Sequence, residues 1–307
     1  MKRKVLESLV EEPEKKRQKT EEESSYDNDK DDLGEREEEI DNSSILEACR
    51  LGNMDLVKKI IDYGMTDEEK DKNINMLLLV ACKHGHLELA KYLVEKGSSI
   101  DYVDEFGFNC LLMASYHSHL ELIKYFLDIG CDINQKDYEA ETSVMYACAN
   151  GNFEICKYLV EKGCTVTDSS IEGGTCFLYA CGNGHLEMAK YLLNHGSSLY
   201  ERNFNFSNCV LCACGRLDML KYLVEEKGCS LASTNIFGTC IMNAAMEKQV
   251  DVVVWMLNNG CSLDENTVVS VNNGHVITSD MTCQEILKKE GIFEEVRKAM
   301  QTKSSRK

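Results

Sequence analysis

The chain has 307 residues, 43% of them hydrophobic and 28% charged, and its 52 acidic against 34 basic side chains give a formal net charge of −18. Such a chain repels phosphate backbones, so nucleic-acid binding is excluded. The longest apolar run, Met76 to Cys82, is too short to cross a bilayer, and MKRKVLESLV carries Glu7 inside its apolar stretch, unlike a secretory signal. A soluble intracellular protein that avoids membranes is expected.

Residues 1–41 hold 25 charged side chains, the only proline (Pro13) and almost no apolar periodicity, which predicts a disordered tail. Lys2 and Arg3 are followed by a second cluster, Lys15, Lys16, Arg17 and Lys19. Two basic clusters at that spacing resemble a bipartite nuclear import signal, docking into acidic, aromatic-lined grooves of importin. A mixed-charge solvated tail is the alternative reading. From Glu21 to Asp41 the tail turns acidic, with 12 acids against two bases.

From residue 42 the chain repeats itself. Ala48, Ala81, Ala114, Ala147, Ala180 and Ala213 are each 33 residues apart, and the stretch ACKHGHLELAKYLVEKG (81–97) recurs in altered copies ending at Gly163, Gly196 and Gly228. Looser copies around Ala244 and Leu287 bring the count to eight units with both end caps, spanning residues 42–300. A fixed period of this size means a solenoid. Within a unit, apolar residues run at helical spacing twice, through Leu78, Ala81 and Cys82, then through Leu87, Ala90, Leu93 and Val94. This predicts two short antiparallel helices, the first ended by Gly85 and the second by Gly97. Helices of about eight to ten residues are unstable alone in water, so stacking is obligatory. After each closing glycine about a dozen residues lead to the next pair through a projecting hairpin turn, as at Asp104 to Gly107.

Two irregularities stand out. Only nine residues separate Ala213 from Tyr222, against eleven from Ala180 to Tyr191, which predicts a shortened first helix or turn and a weak point in the sixth unit. Between Ala244 and Leu287 lie ten residues more than the period, including VVSVNNGHVIT, which reads as a hairpin within residues 265–280 turning at Asn273-Gly274. The patterning favours a long final finger over a free strand edge offered to a partner. Residues 301–307 read as a short basic disordered tail.

The sixteen cysteines fall almost entirely at equivalent repeat positions, which makes them small apolar fillers in a reducing compartment. Cys209, Cys212 and Cys214 form a C-x-x-C-x-C cluster, but no further ligand pair stands at metal spacing. No nucleophile elbow, phosphate-cradling loop or HExxH occurs, and no cysteine has a base and orienting partner in sequence, so a cysteine-dependent enzyme is disfavoured and neither metal nor cofactor is expected. Four or five of the seven histidines sit at interhelix turns, where hydrogen bonding to backbone is the expected role.

Period, alanine, the Gly-His turns (Gly85-His86, Gly184-His185) and closing glycines together resemble the ankyrin repeat family over residues 43 to 300. The family's Thr-Pro-Leu-His is here Asn-Cys-Leu-Leu (109–112), Thr-Ser-Val-Met (142–145), Thr-Cys-Phe-Leu (175–178) or Asn-Cys-Val-Leu (208–211), so a helix cap survives while the proline and histidine are lost. The resemblance implies an all-α ankyrin solenoid of stacked helix-turn-helix pairs with projecting β-hairpin turns, working as a non-enzymatic, monomeric protein-binding module with a concave contact face. It places contact residues at Lys83, His84, Tyr116, His117, Asn150 and Asn183 on the first helices, and at Phe106, Phe108, Tyr138 and Phe204 on the fingers. The charge of −11 left to residues 42–307 points to a partner with a basic surface. An adaptor recruiting targets to an enzyme such as a ubiquitin ligase is the alternative.

Overall fold

The repeating apolar pattern closes into successive helix pairs because neither helix of a unit can bury its stripe alone. A computed structural model describes residues 42–236, 238–263 and 282–304. The pairs are α1 (Asn42–Arg50) with α2 (Met54–Lys59), α3 (Asp67–His84) with α4 (Leu87–Glu95), α5 (Cys110–Tyr116) with α6 (Leu120–Asp128), and α7 (Ser143–Asn150) with α8 (Phe153–Glu161). They continue as α9 (Cys176–Asn183) with α10 (Leu186–Asn194), α11 (Cys209–Cys212) with α12 (Leu217–Lys221), α13 (Cys240–Met246) with α14 (Val250–Asn258), and α15 (Cys283–Lys289) with α16 (Phe293–Ser304). The final helix thus runs past residue 300, as far as Ser304.

The helix ends follow from the residues that replaced the family's motif. Asn109 and Asn208 accept the backbone N–H of Leu112 and Leu211 at 2.9 and 3.1 Å, and Thr175 accepts that of Leu178 at 3.2 Å. At the other end Gly85, Gly151 and Gly184 adopt φ of 80°, 78° and 79°, where a side chain is strained. Glycine is needed there for a second reason, since a Cβ on Gly151 would lie 2.4 Å from the ring of His185 in the next unit. The repeat alanines 81, 114, 147, 180, 213 and 244 are fully buried, which lets adjacent pairs approach closely.

Two segments depart from the expected unit. Instead of a finger followed by a short helix, the second unit opens with the 18-residue α3, started by a capping box in which Thr66 and Glu69 satisfy each other's backbone N–H. Residues 67–75 lack glycine and proline, so nothing turns the chain and the helix starts early. In the sixth unit the two missing residues leave α11 only four residues long. The same unit has one residue more between Tyr222 and Gly228 than the fifth has between Tyr191 and Gly196, and Tyr222–Glu226 forms a π-helical turn that absorbs it. The expected hairpin at 265–280 and the expected tail at 1–41 lie outside the described residues.

Each finger between pairs is built on one polar side chain. Asp104 Oδ1 accepts the N–H of Phe106 and Phe108, both at 2.9 Å, Asp137 Oδ1 accepts those of Glu139 and Glu141 at 2.9 and 2.8 Å, and Asn203 Oδ1 accepts those of Asn205 and Ser207 at 3.0 and 2.9 Å. The fingers are then stitched together at their apices. Tyr138 donates its N–H to Phe106 O at 3.1 Å, Ile171 to Glu139 O at 2.8 Å, Phe204 to Glu172 O at 3.0 Å and Ile236 to Asn205 O at 3.3 Å. Regular strand is brief: β1 (Thr234–Asn235) pairs antiparallel with β2 (Gly238–Thr239), and earlier fingers keep only single bridges, Lys136 with Thr142 and Ser169 with Thr175.

Candidate partner-binding surface

Finger side chains reach the first helices, Phe108 packing on Tyr116 at the end of α5 and Asp137 bonding Tyr146 in α7. Side chains at the interhelix turns reach back to the preceding unit. His86 Nε2 lies 2.9 Å from Arg50 O and His119 Nε2 lies 3.0 Å from Lys83 O. A carbonyl only accepts, so Nε2 carries the proton in both rings. Asn150 donates to Tyr116 O at 2.7 Å, and Arg216 Nε to Gly182 O at 3.2 Å where the sixth unit has no histidine. These bonds tie the second, third, fourth and sixth units to their predecessors at the helix ends.

At the finger bases the third to fifth units carry a linked aromatic and acidic cluster. Phe108 packs on Tyr116 and Tyr146 with ring centroids 5.8 and 5.3 Å away, and Tyr116 and Tyr146 are edge to face at 5.2 Å. The Tyr146 hydroxyl donates to Asp137, the Tyr179 hydroxyl to Glu141, and the Thr175 hydroxyl to Glu201. Burial raises the Glu141 carboxyl to about 7 and the neighbouring Asp137 adds to the shift, against the Tyr179 hydrogen bond. Its only described hydrogen-bond partners are neutral hydroxyls, which compensate a buried carboxylate poorly. On the first helices, burial next to Lys83 depresses His117 to about 4, so it is neutral at physiological pH, and His84 is lowered for the same reason.

A family model described as Ankyrin repeats, in three copies, matches residues 45–137 and 137–203, more than half of the chain. The chain belongs to the ankyrin repeat family. No curated protein matches it. Ankyrin repeats are general protein–protein interaction modules, and the all-helical pairs with brief finger strands are the expected ankyrin solenoid.

On this ankyrin array the expected contact residues separate into distinct groups. Phe106, Tyr138 and Phe204 stand out from the fingers, exposed by 39%, 64% and 72%. Phe108 does not: it is buried at 7% and belongs to the core under its finger, because the fifth finger position faces Tyr116 and Tyr146 rather than solvent. Tyr116, His117, Lys83 and His84 are half-buried along the helix ends, with His84 and His117 stacked near His86 and His119 at centroid distances of 6.3 and 6.4 Å. Asn150 and Asn183 are exposed, but their amides are bonded to Tyr116 O and Tyr179 O, the latter at 3.1 Å. The Glu141 cluster was missed in sequence. Its signal was available: Glu141 stands at the finger position held elsewhere by Phe108, Gly174 and Ser207.

The chemistry of the thiols is that of fillers. Thirteen of the sixteen cysteines are buried, and Cys212, Cys229 and Cys261 are half-buried. Burial pushes the thiols of Cys49, Cys209 and Cys212 up to about 12, so the nucleophilic thiolate is scarce at neutral pH. Among the described residues no three histidine, cysteine or carboxylate side chains are grouped to hold a metal ion, the Cys209, Cys212 and Cys214 cluster included. No helix among them is long and apolar enough to cross a membrane.

Proposed function

We propose that this ankyrin array is a non-enzymatic binding module that holds a basic protein partner on the face made by its fingers and first-helix ends. The observation that supports this most is the state of that face. Hydrogen bonds through His86, His119, Asn150 and Arg216 join successive units, and Glu105, Glu139 and Glu172 at the finger apices are exposed on an array of net negative charge. A rigid acidic surface steers and orients a cationic partner without a cost of rearrangement. In cells, proximity labelling with the intact chain should enrich basic proteins, and the triple reversal Glu105→Lys, Glu139→Lys, Glu172→Lys should remove them while thermal unfolding stays unchanged. Undiminished enrichment by the reversed chain contradicts the reading.

The same proposal places the protein in the nucleus through Lys2, Arg3, Lys15, Lys16, Arg17 and Lys19, which lie outside the described residues. Replacing Lys15, Lys16, Arg17 and Lys19 with alanine should strand a fluorescent fusion in the cytoplasm; continued nuclear accumulation would sink it.

A further inference from the structure

The finger apices carry a row of apolar side chains that stay mostly exposed, although the rings of Tyr138 and Phe204 each lie against the glycine of the preceding finger, Gly107 and Gly173. Tyr138, Ile171 and Phe204 occupy the same position in three successive fingers, each one residue after the polar side chain that builds its turn, and they are exposed by 64%, 55% and 72%. Their backbones are locked in line, since Ile171 N–H is bonded to Glu139 O and Phe204 N–H to Glu172 O. The row therefore moves as one rigid ridge. At its end Phe206 stands where two other fingers have Gly107 and Gly173, holds a left-handed φ of 62°, and is itself 62% exposed. A bulky residue in that region is uncommon, and this one gains no burial inside the array in return. Exposed apolar side chains contiguous over three units mark a contact surface.

The spacing of the ridge defines what fits it. Packed helices lie about 8–10 Å apart, and each finger leads directly into the first helix of its unit, so the ridge residues recur at about that interval. A polyproline II chain has three residues per turn and advances about 3.1 Å per residue, so every third side chain returns to the same side about 9 Å further on, whereas every second residue of a strand returns after less than about 7 Å. Between the ridge positions the apices present the exposed carboxylates of Glu139 and Glu172. Lys136, the cation on the same finger as Tyr138, is already paired with Asp168 at 2.8 Å.

We propose that the ridge of Tyr138, Ile171 and Phe204 binds a segment of the partner in polyproline II conformation that carries an apolar side chain at every third residue and lysine or arginine between them. The proposal rests on the reading of the face as a site for basic proteins and names the form of the segment it takes. Charge complementarity supplies the cations and the rigid ridge supplies the register.

The probe is a fluorescently labelled peptide (Leu-Lys-Gly)5, titrated with the full chain and followed by anisotropy. Saturable binding is expected, at least tenfold weaker to the variant Tyr138→Ser, Ile171→Ser, Phe204→Ser, and absent for (Leu-Glu-Gly)5. Equal binding of a composition-matched peptide with leucines at every second residue, or undiminished binding by the serine variant, overturns the ridge. The single variant Phe204→Ser, with at least a threefold loss expected, keeps the test open if the triple variant unfolds. Loss of (Leu-Lys-Gly)5 binding on the Glu-to-Lys reversal, together with retention by the serine variant, leaves the acidic reading standing and removes the ridge alone. No binding of any basic peptide removes both.

Discussion

Asn150 and Phe204 are both exposed and both stand where ankyrin contacts are expected, yet they differ in what they already do. The Asn150 amide is bonded to Tyr116 O in the preceding unit and helps hold the stack, whereas the Phe204 ring makes no hydrogen bond, rests one edge against Gly173 and is 72% exposed. The same contrast separates the two rows. Turn side chains such as His86, His119 and Arg216 hydrogen-bond one unit to the next, whereas the apex rings of Tyr138 and Phe204 only rest on Gly107 and Gly173 of the preceding finger and stay mostly exposed. Position in a repeat tells which residues can reach a partner; only the hydrogen bonds and burial tell which are available to one.

The largest expected effect probes the scaffold side. Phe177 is fully buried in α9, and Phe177→Ala should cost about 3–5 kcal/mol, read as a lowered urea midpoint. Next comes Gly151→Ala, which combines a left-handed φ with a Cβ 2.4 Å from His185 and should cost about 2 kcal/mol or more. Adding His185→Ala to it should restore part of that loss, and strict additivity of the two would show that the rings and glycines do not form a joint.

Glu141 gives a pH signature of intermediate size. Its carboxyl is raised to about 7 in the folded chain from 4.5, so the folded state holds the proton more tightly. Its contribution to stability is therefore full below pH 4.5 and is lost as pH rises through about 7. Glu141→Gln should stabilise the array at pH 8, by on the order of 2 kcal/mol after allowance for solvent, and leave it unchanged at pH 4. A gain that does not depend on pH would mean that Glu141 is not the titrating group. Smaller still, His119→Ala should cost about 1 kcal/mol through the lost bond to Lys83 O. At the bottom of the scale Phe204→Ala should stay within about 0.5 kcal/mol of the parent, because the ring buries so little.

Much of this was readable from the sequence because a repeat declares itself many times over. The alanine period, the glycines at helix ends and the histidine turns each have one physical cause that recurs, and the structure places Ala81, Gly85 and His86 accordingly. What escaped was local to single units. The long α3 followed from Thr66 and Glu69, a capping box that the expectation of a finger overrode. The π turn at Tyr222–Glu226 compensates an insertion that only alignment of Tyr222 and Gly228 with the fifth unit reveals. Phe108 was misplaced for a more general reason: an aromatic beside a finger glycine looks like an apex residue, and only its contacts with Tyr116 and Tyr146 show that it turns inward.

Hydrogen exchange of the full chain, with and without saturating (Leu-Lys-Gly)5, tests the central claim most directly. The account predicts added protection at the fingers 137–141, 170–174 and 203–207 and none along the second helices α4, α6, α8 and α10. Protection centred on those second helices, or no change at the fingers, would contradict it.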